Sequence, residues 1–153
     1  MDKKEFYKTD KPLAVRESFN NTILLLTMVK SEYYYIIGFS RVKGIIEIGF
    51  DFESELHGKI TETAILDFYG DDNYIELSCS LRNIDRENIE TIMNGRINKT
   101  FSVESCSVVF RAKIPSDRLI PTSIKMMNEY ILQAKSDIFA FLESYYKKCI
   151  TVK

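Results

Sequence analysis

The stretch from Ile60 to Leu81, ITETAILDFYGDDNYIELSCSL, is the part of the chain that best indicates its fold. On both sides of the segment GDDN at 70–73, apolar residues alternate with polar ones. Gly, Asp and Asn readily adopt turn conformations, and a period of two is typical of a strand with one buried face. The stretch therefore predicts a β-hairpin with arms at 60–69 and 74–81. We expect the buried face to contain Ala64, Leu66, Phe68, Ile75, Leu77, Cys79 and Leu81.

A second hairpin is predicted immediately before the first. Residues 33–39 are aromatic and β-branched, Arg41–Gly44 offers a turn, and residues 45–52 alternate between apolar and other side chains. These features are typical of two strands joined by a short connection. The buried face of the second arm is predicted to contain Ile46, Ile48, Phe50 and Phe52.

A helix is predicted over about 12–30. The segment Asp10-Lys11-Pro12 is a plausible start because proline suits the first turn of a helix, and apolar residues then recur at steps of three and four. These apolar residues are Val15, Phe19, Ile23 and Leu26. The alternative stays open that Asn20–Thr22 forms a turn and that the aliphatic and β-branched run after it forms a strand.

Three further elements are predicted in the rest of the chain. A helix begins at Asp85, whose side chain can cap the first turn, and ends near Asn98. Residues 101–114 form one long strand or two short ones, closed by Pro115. A long last helix begins at Pro121. Its buried stripe is predicted to contain Ile124, Met127, Ile131, Ala134, Ile138, Leu142 and Tyr145.

Together these elements predict an α+β fold, in which an antiparallel sheet is covered by helices and one helix is long and C-terminal. The chain has 153 residues, of which 45% are apolar and 28% are charged, values that suit one globular domain with one core. No Pro-, Gly- or Ser-rich segment and no internal repeat divides it. We expect a single domain over 1–153, with flexible ends at about 1–11 and 150–153.

Charge and hydropathy argue against nucleic acid and membrane as partners. The chain has 21 basic and 22 acidic residues, a net charge of -1, and thus no overall field that attracts phosphate. Its longest aliphatic stretch, 23–29, is far shorter than a membrane-spanning helix, and its mixed-charge N-terminus lacks the apolar region of a signal peptide. Three cysteines without CxxC spacing favour a reducing compartment, and we expect a cytoplasmic protein.

His57 is the only histidine, so any imidazole chemistry must use it. If the strand before it continued, Asp51, Glu53, Glu55 and His57 would project from one face at two-residue steps and could bind a divalent cation. Exposed acidic rows are common at the edge of a sheet, and we favour that interpretation. We therefore expect His57 to lie in a solvated loop, to be dispensable for folding and to bind no metal tightly.

The cysteines together with His57 have the composition of a zinc site. Structural zinc sites usually take their ligands in close pairs, and this sequence contains no such pair. We expect Cys79 and Cys106 to be buried free thiols on strands, and Cys149, near the end of the chain, to be the most accessible thiol. No metal ligand and no cofactor follow from the sequence.

Neither phosphate binding nor catalysis is indicated by a motif. The six glycines lack the spacing of a phosphate-binding loop, and the adjacent Asp71 and Asp72 lie in a predicted turn, where backbone bonding accounts for them. A basic cluster near the middle helix could bind RNA, but Asp85, Glu87 and Glu90 on the same segment favour a solvated face. The cluster consists of Arg82, Arg86, Arg96 and Lys99, with Tyr74 nearby in sequence.

One resemblance covers roughly residues 60–147. It is carried by MNGRIN at 93–98, FSVE at 101–104, VVFRAKIP at 108–115 and the helix from Pro121. In the order hairpin, helix, strand region and long helix, the chain resembles type III secretion chaperones and YbjN-type bacterial regulators. Members of that superfamily look like helix-sheet-helix wedges that often dimerise and hold an extended segment of a partner protein. The resemblance implies a protein partner but assigns no binding residue, and the earlier hairpin adds a strand to the usual number.

The leading hypothesis from the sequence is a non-catalytic protein-binding module, a chaperone, adaptor or neutralising partner that acts through a sheet face or an exposed helix. Its partner would be another protein or a second copy of the chain. The alternative is an enzyme or small-ligand carrier with a pocket between the sheet and the last helix. A binder predicts a contiguous apolar surface patch, whereas a carrier predicts an enclosed cavity with several inward polar groups.

Overall fold

The computed structural model describes residues 13–28, 34–71, 73–84, 100–104, 107–115 and 124–152 of the chain. They form an α+β fold in which helices cover one face of an antiparallel sheet, as predicted. The helix predicted over 85–98 lies outside the described residues. In chain order the elements are α1 (Leu13–Met28), β1 (Tyr35–Ser40), β2 (Ile45–Ser54), β3 (Gly58–Asp67), β4 (Tyr74–Leu81), β5 (Phe101–Glu104), β6 (Ser107–Pro115) and α2 (Ile124–Val152).

The six strands form one sheet in the order β1-β2-β3-β4-β6-β5, and every neighbouring pair is antiparallel. Both predicted hairpins are confirmed, β1 with β2 and β3 with β4. The strand region before Pro115 forms two strands rather than one, and β5 and β6 pair with each other. Since β6 also pairs with β4 from Leu81 to Tyr74, the late strands extend the sheet of the first hairpins.

The buried face of the sheet is the one that the alternation predicts. All of the predicted buried residues of β2, β3 and β4, and Phe68 just after β3, are buried. The register places Phe52 opposite Ile60 and Ala64 opposite Cys79, so buried rows continue from strand to strand. Burial of apolar area at roughly 25 cal/mol per Å² makes this continuous face the main source of stability.

The long helix α2 covers that face. Its 29 residues span about 43 Å at 1.5 Å per residue, enough to cross the sheet. The Phe141 ring stacks on Phe101 of the edge strand β5, with centroids 4.3 Å apart, and Phe139 stacks on Phe52 of β2 at 5.5 Å. The predicted stripe is confirmed from Met127 to Tyr145: Met127, Ile131, Ala134, Ile138, Leu142 and Tyr145 are buried.

The N-terminal segment is a helix, and the alternative of a turn followed by a strand is wrong. Asn20 and Asn21 lie on the exposed side of α1, where their polar side chains meet water. Phe19 is fully buried and packs against Phe68 and Tyr69, with ring centroids 5.2 and 5.6 Å away. Tertiary packing of this aromatic residue therefore outweighs the weak local preference for a turn. In the described part of the chain, neither helix is long and apolar enough to cross a membrane.

A buried carboxylate fixes the chain where β4 ends. Glu62 of β3 is fully buried on the core face, although a carboxylate is seldom buried without partners. It accepts hydrogen bonds from the backbone N–H of Arg82, at 3.0 and 3.1 Å, and of Asn83, at 3.0 Å, and from the Asn83 side-chain amide. The Tyr146 hydroxyl of α2 donates to the Asn83 carbonyl at 2.9 Å. This network ties β3, the end of β4 and α2 together.

Candidate binding surface

Apolar side chains are exposed along the edge strand β1. Among the described residues, β2 is the only strand that pairs with β1, so its other edge has no described neighbour. The strand sequence YIIGFS contains no charge and no proline, the residues with which natural edge strands commonly prevent pairing. We call the side chains of Tyr35, Ile37, Phe39 and Val42, each between 44% and 50% exposed, the edge surface.

A bulge lies in the middle of the edge surface. The register shifts between Ile36 and Gly38, so that Ile37 has no partner residue on β2. The exposed positions nevertheless alternate along the whole of β1, and Ile37 is exposed like Tyr35 and Phe39. The exposed position of Ile37 was not predicted, because residues 33–39 contain no alternation of apolar and charged side chains that would indicate which face is buried.

The rings of Tyr35 and Phe39 are each held in place by contacts with neighbouring residues. The Tyr35 ring lies against Gly49 of β2, where a Cβ atom would come within 2.4 Å of the ring, and its hydroxyl donates to Asp51 at 3.3 Å. The Arg41 guanidinium lies 5.6 Å from the centre of the Phe39 ring and donates to the Asn20 side chain of α1 at 3.2 Å. The two aromatic rings are therefore presented in defined positions.

A groove lies where β2 extends past the beginning of β1. Because Tyr35 pairs with Gly49, the second half of β2, Phe50–Ser54, has no described strand on the β1 side. The groove there has a volume of about 310 Å³, and we call it the acid groove. It is lined by Asp51, Phe52 and Glu53 of β2 and by Leu132, Lys135, Ser136 and Phe139 of α2.

A second cavity, the polar cleft, lies between β6 and α2 and has a volume of about 610 Å³. Its charged residues are partly engaged by one another. Arg111 donates to Glu76 at 2.8 Å and to Glu104 at 2.7 Å, and the Lys113 ammonium lies over the Tyr74 ring at 4.6 Å. The cleft is lined by Glu76, Thr100, Phe110, Arg111, Ala112, Lys113, Tyr130, Gln133, Ala134 and Asp137.

The hypothetical row of cation ligands is not formed. Asp51 and Glu53 share one face of β2, but the strand ends at Ser54 and residues 55–57 form a turn, so the two-residue alternation stops before His57. No group of three or more His, Cys, Asp and Glu side chains in the described ranges is placed to hold a metal ion. Asp51 instead accepts hydrogen bonds from Thr61, at 2.9 Å, and from Tyr35.

His57 is exposed in the β2–β3 turn, as predicted, but it is not a purely solvated loop residue. Its ring stacks on Tyr146 of α2, with centroids 4.6 Å apart and planes 3° from parallel. Burial and the nearby Glu62 carboxylate raise the pKa of Tyr146 to about 12, so this phenol stays neutral and can donate its hydrogen bond. That His57 is dispensable for folding stays a prediction.

The remaining candidates from the sequence fall in three places. Cys79 is a buried free thiol on β4, as predicted, and burial raises its pKa, while Cys149 is half-buried on α2. Of the basic cluster, Arg82 is described: its backbone N–H bonds Glu62, and its guanidinium donates to Thr63 at 3.2 Å. Cys106, Arg86, Arg96 and Lys99 lie outside the described residues.

Comparison with known proteins adds no relative from which a function could be transferred. No family model, no curated protein and no solved structure matches the chain.

Proposed function

We propose that the protein is a non-catalytic protein-binding module that takes an extended segment of a partner along the edge of β1 that has no neighbour among the described residues. The observation that supports this proposal is the edge surface: three large apolar side chains are half exposed on an edge strand without charge or proline, and Val42 is half exposed in the turn that follows. An unpaired edge offers backbone N–H and C=O groups to an incoming strand, and exposed apolar side chains beside it give the added strand something to pack against.

The site differs from the expectation in one respect, because it is an edge of the sheet and not a sheet face or an exposed helix. A chaperone-like, adaptor or neutralising role, a partner protein or a second copy of the chain, and a cytoplasmic location are parts of the same proposal. The resemblance to type III secretion chaperones and YbjN-type regulators agrees with it, since those proteins look like holders of extended segments.

The test is a comparison of two variants that each replace an exposed aliphatic residue with lysine. Ile37→Lys places a charge on the edge surface, whereas Leu24→Lys makes the same kind of change on the exposed side of α1, at a residue that is 58% exposed. Exposed substitutions usually change stability by less than about 0.5 kcal/mol, so both variants should melt like the wild type.

Affinity capture with mass spectrometry should then identify a protein retained by the wild type and by Leu24→Lys but lost with Ile37→Lys. Hydrogen exchange of that complex should show new protection of the β1 amides. A partner retained equally by both variants, or protection confined to other strands, would contradict the proposal. Sedimentation of the chain alone tests whether the partner is a second copy.

A small-ligand carrier is the second candidate, and the polar cleft is the observation that favours it. Its cationic side chains and the hydroxyl and amide of Tyr130 and Gln133 could orient a small polar anion. Thermal shift with a panel of small carboxylates and phosphates checks this function. A ligand that raises the melting temperature of the wild type but not of Arg111→Gln would favour the carrier.

A further inference from the structure

The acid groove combines two acidic side chains with an apolar surface, and this combination favours one kind of ligand. Asp51 and Glu53 project from the same face of β2 at positions two residues apart, and both are exposed. Between them, Phe52 projects to the opposite face, where it is buried against the stacked ring of Phe139. An acidic, apolar, acidic sequence therefore lies along a strand segment with no described neighbour on the β1 side.

We propose that the acid groove binds an extended peptide segment in which an apolar residue is flanked on both sides by Lys or Arg. This inference goes beyond the proposed function, because the acid groove, although it adjoins the edge surface through the hydrogen bond from Tyr35 to Asp51, does not require that surface to bind anything.

The spacing follows from the geometry of paired strands. A strand placed beside Asp51–Glu53 has its residues directly opposite those of β2, with side chains on the same face in cross-strand pairs. Two basic residues at i and i+2 would then face Asp51 and Glu53, and the residue between them would point to the other face, toward Phe52.

The wall formed by α2 completes the apolar part of the groove. Leu132 is 36% exposed there, and the Phe139 ring stacks on the Phe52 ring. The Lys135 ammonium lies 5.8 Å from the centre of the Phe52 ring and contributes one positive charge against two carboxylates. The groove consequently keeps a net negative charge, which favours a cationic segment over an acidic one.

The experiment uses the full chain and a short fluorescein-labelled peptide, Ser-Thr-Lys-Ile-Lys-Thr-Ser, followed by fluorescence anisotropy at low salt. Two control peptides replace either both lysines with glutamate or the isoleucine with serine. We expect saturable binding of the first peptide, loss of binding of the glutamate peptide, and weaker binding as salt screens the exposed charges.

Variants of the groove locate the site. Asp51→Asn and Glu53→Gln should each weaken binding by about two- to fivefold, the effect of one exposed cross-strand charge pair. Leu132→Asp should weaken it about tenfold or more, because it places a charge in the apolar wall. The matched control is Glu47→Gln, which makes the same change on the same face of β2 where β1 covers the strand. It should bind like the wild type.

Ile37→Lys separates this inference from the proposed function. It should leave peptide binding unchanged while removing a partner that uses the edge surface. Equal binding of the lysine and glutamate peptides, or equal binding by the wild type and the groove variants, would overturn the inference. So would the absence of any peptide binding, including the case in which another part of the same chain covers the groove.

Discussion

The hydrogen bonds of the buried Glu62 could not be predicted from the sequence pattern. It occupies a place in the row Ile60, Glu62, Ala64 that the alternation assigns to the core, but a carboxylate there reads as an interruption of the pattern. Its role depends on three donors from Arg82 and Asn83, about twenty residues away in sequence. Such long-range partners cannot be found by a pattern that compares only near neighbours.

We predict that Glu62→Ala destabilises the protein by about 3 kcal/mol, because it leaves three partly buried N–H donors of Arg82 and Asn83 without this acceptor. Urea denaturation at neutral pH measures the loss. Glu53→Ala is the control: that side chain is exposed on the neighbouring strand, and its removal should change the free energy of unfolding by less than about 0.5 kcal/mol. Similar urea midpoints for the two variants would show that the hydrogen bonds of Glu62 contribute little.

Glu104 should make the stability depend on acid pH. Hydrogen bonds from the Arg111 guanidinium and from the Ser102 hydroxyl lower the pKa of this carboxyl from its ordinary value of 4.5 to about 2. A lowered pKa in the folded state means that the stabilisation is fully present above pH 4.5 and is lost as the pH falls toward 2.

The check is the difference in free energy of unfolding between the wild type and Glu104→Gln, followed from pH 6 down to about pH 2. We expect the wild type to be the more stable protein at pH 6 and the difference to shrink as the carboxyl becomes protonated. A difference that stays constant over that range would mean that the ion pair with Arg111 does not set the pKa.

Among the elements, the strands with one buried face could be predicted from the sequence, whereas the ends of the strands and the connections between elements could not. In β2, β3 and β4 the period of two persists for eight to ten residues, which no helix would accommodate. Residues 101–114 carried β-branched and aromatic side chains throughout, so composition could not show where one strand ends and the next begins. The acid groove depends on the unequal lengths of β1 and β2 and on the path of α2, which are tertiary features.

The packing of α2 against the sheet leads to a prediction about stability. Ile138 is fully buried against the sheet, and Ile138→Ala should destabilise the protein by about 2–5 kcal/mol, the sum of lost transfer energy and the cavity that remains. Ser136 lies on the exposed side of the same helix, so Ser136→Ala should cost little. Thermal melting of both variants checks the packing, and a wild-type melting temperature for Ile138→Ala would refute it.

For the whole molecule, one buried cluster joins both described helices and the sheet. Phe19 of α1, Ile138 of α2 and Cys79 of β4 belong to the same core. Small domains with one core usually unfold in a single cooperative step. That the chain is one domain over 1–153 stays a prediction, and Cys79 offers a way to test it because its thiol is fully buried in the sheet.

In a variant with Cys106→Ser and Cys149→Ser, Cys79 is the only thiol, and its labelling reports the opening of the core. When the core closes faster than the reagent reacts, the labelling rate of Cys79 gives the free energy of opening. We expect this value to equal the free energy of unfolding measured by circular dichroism, because a single cooperative unit exposes β4 only by global unfolding. In the unmodified chain the half-buried Cys149 should react much sooner than Cys79. If Cys79 labels with a clearly smaller free energy than global unfolding, the sheet opens separately from the helices and the chain does not behave as one unit.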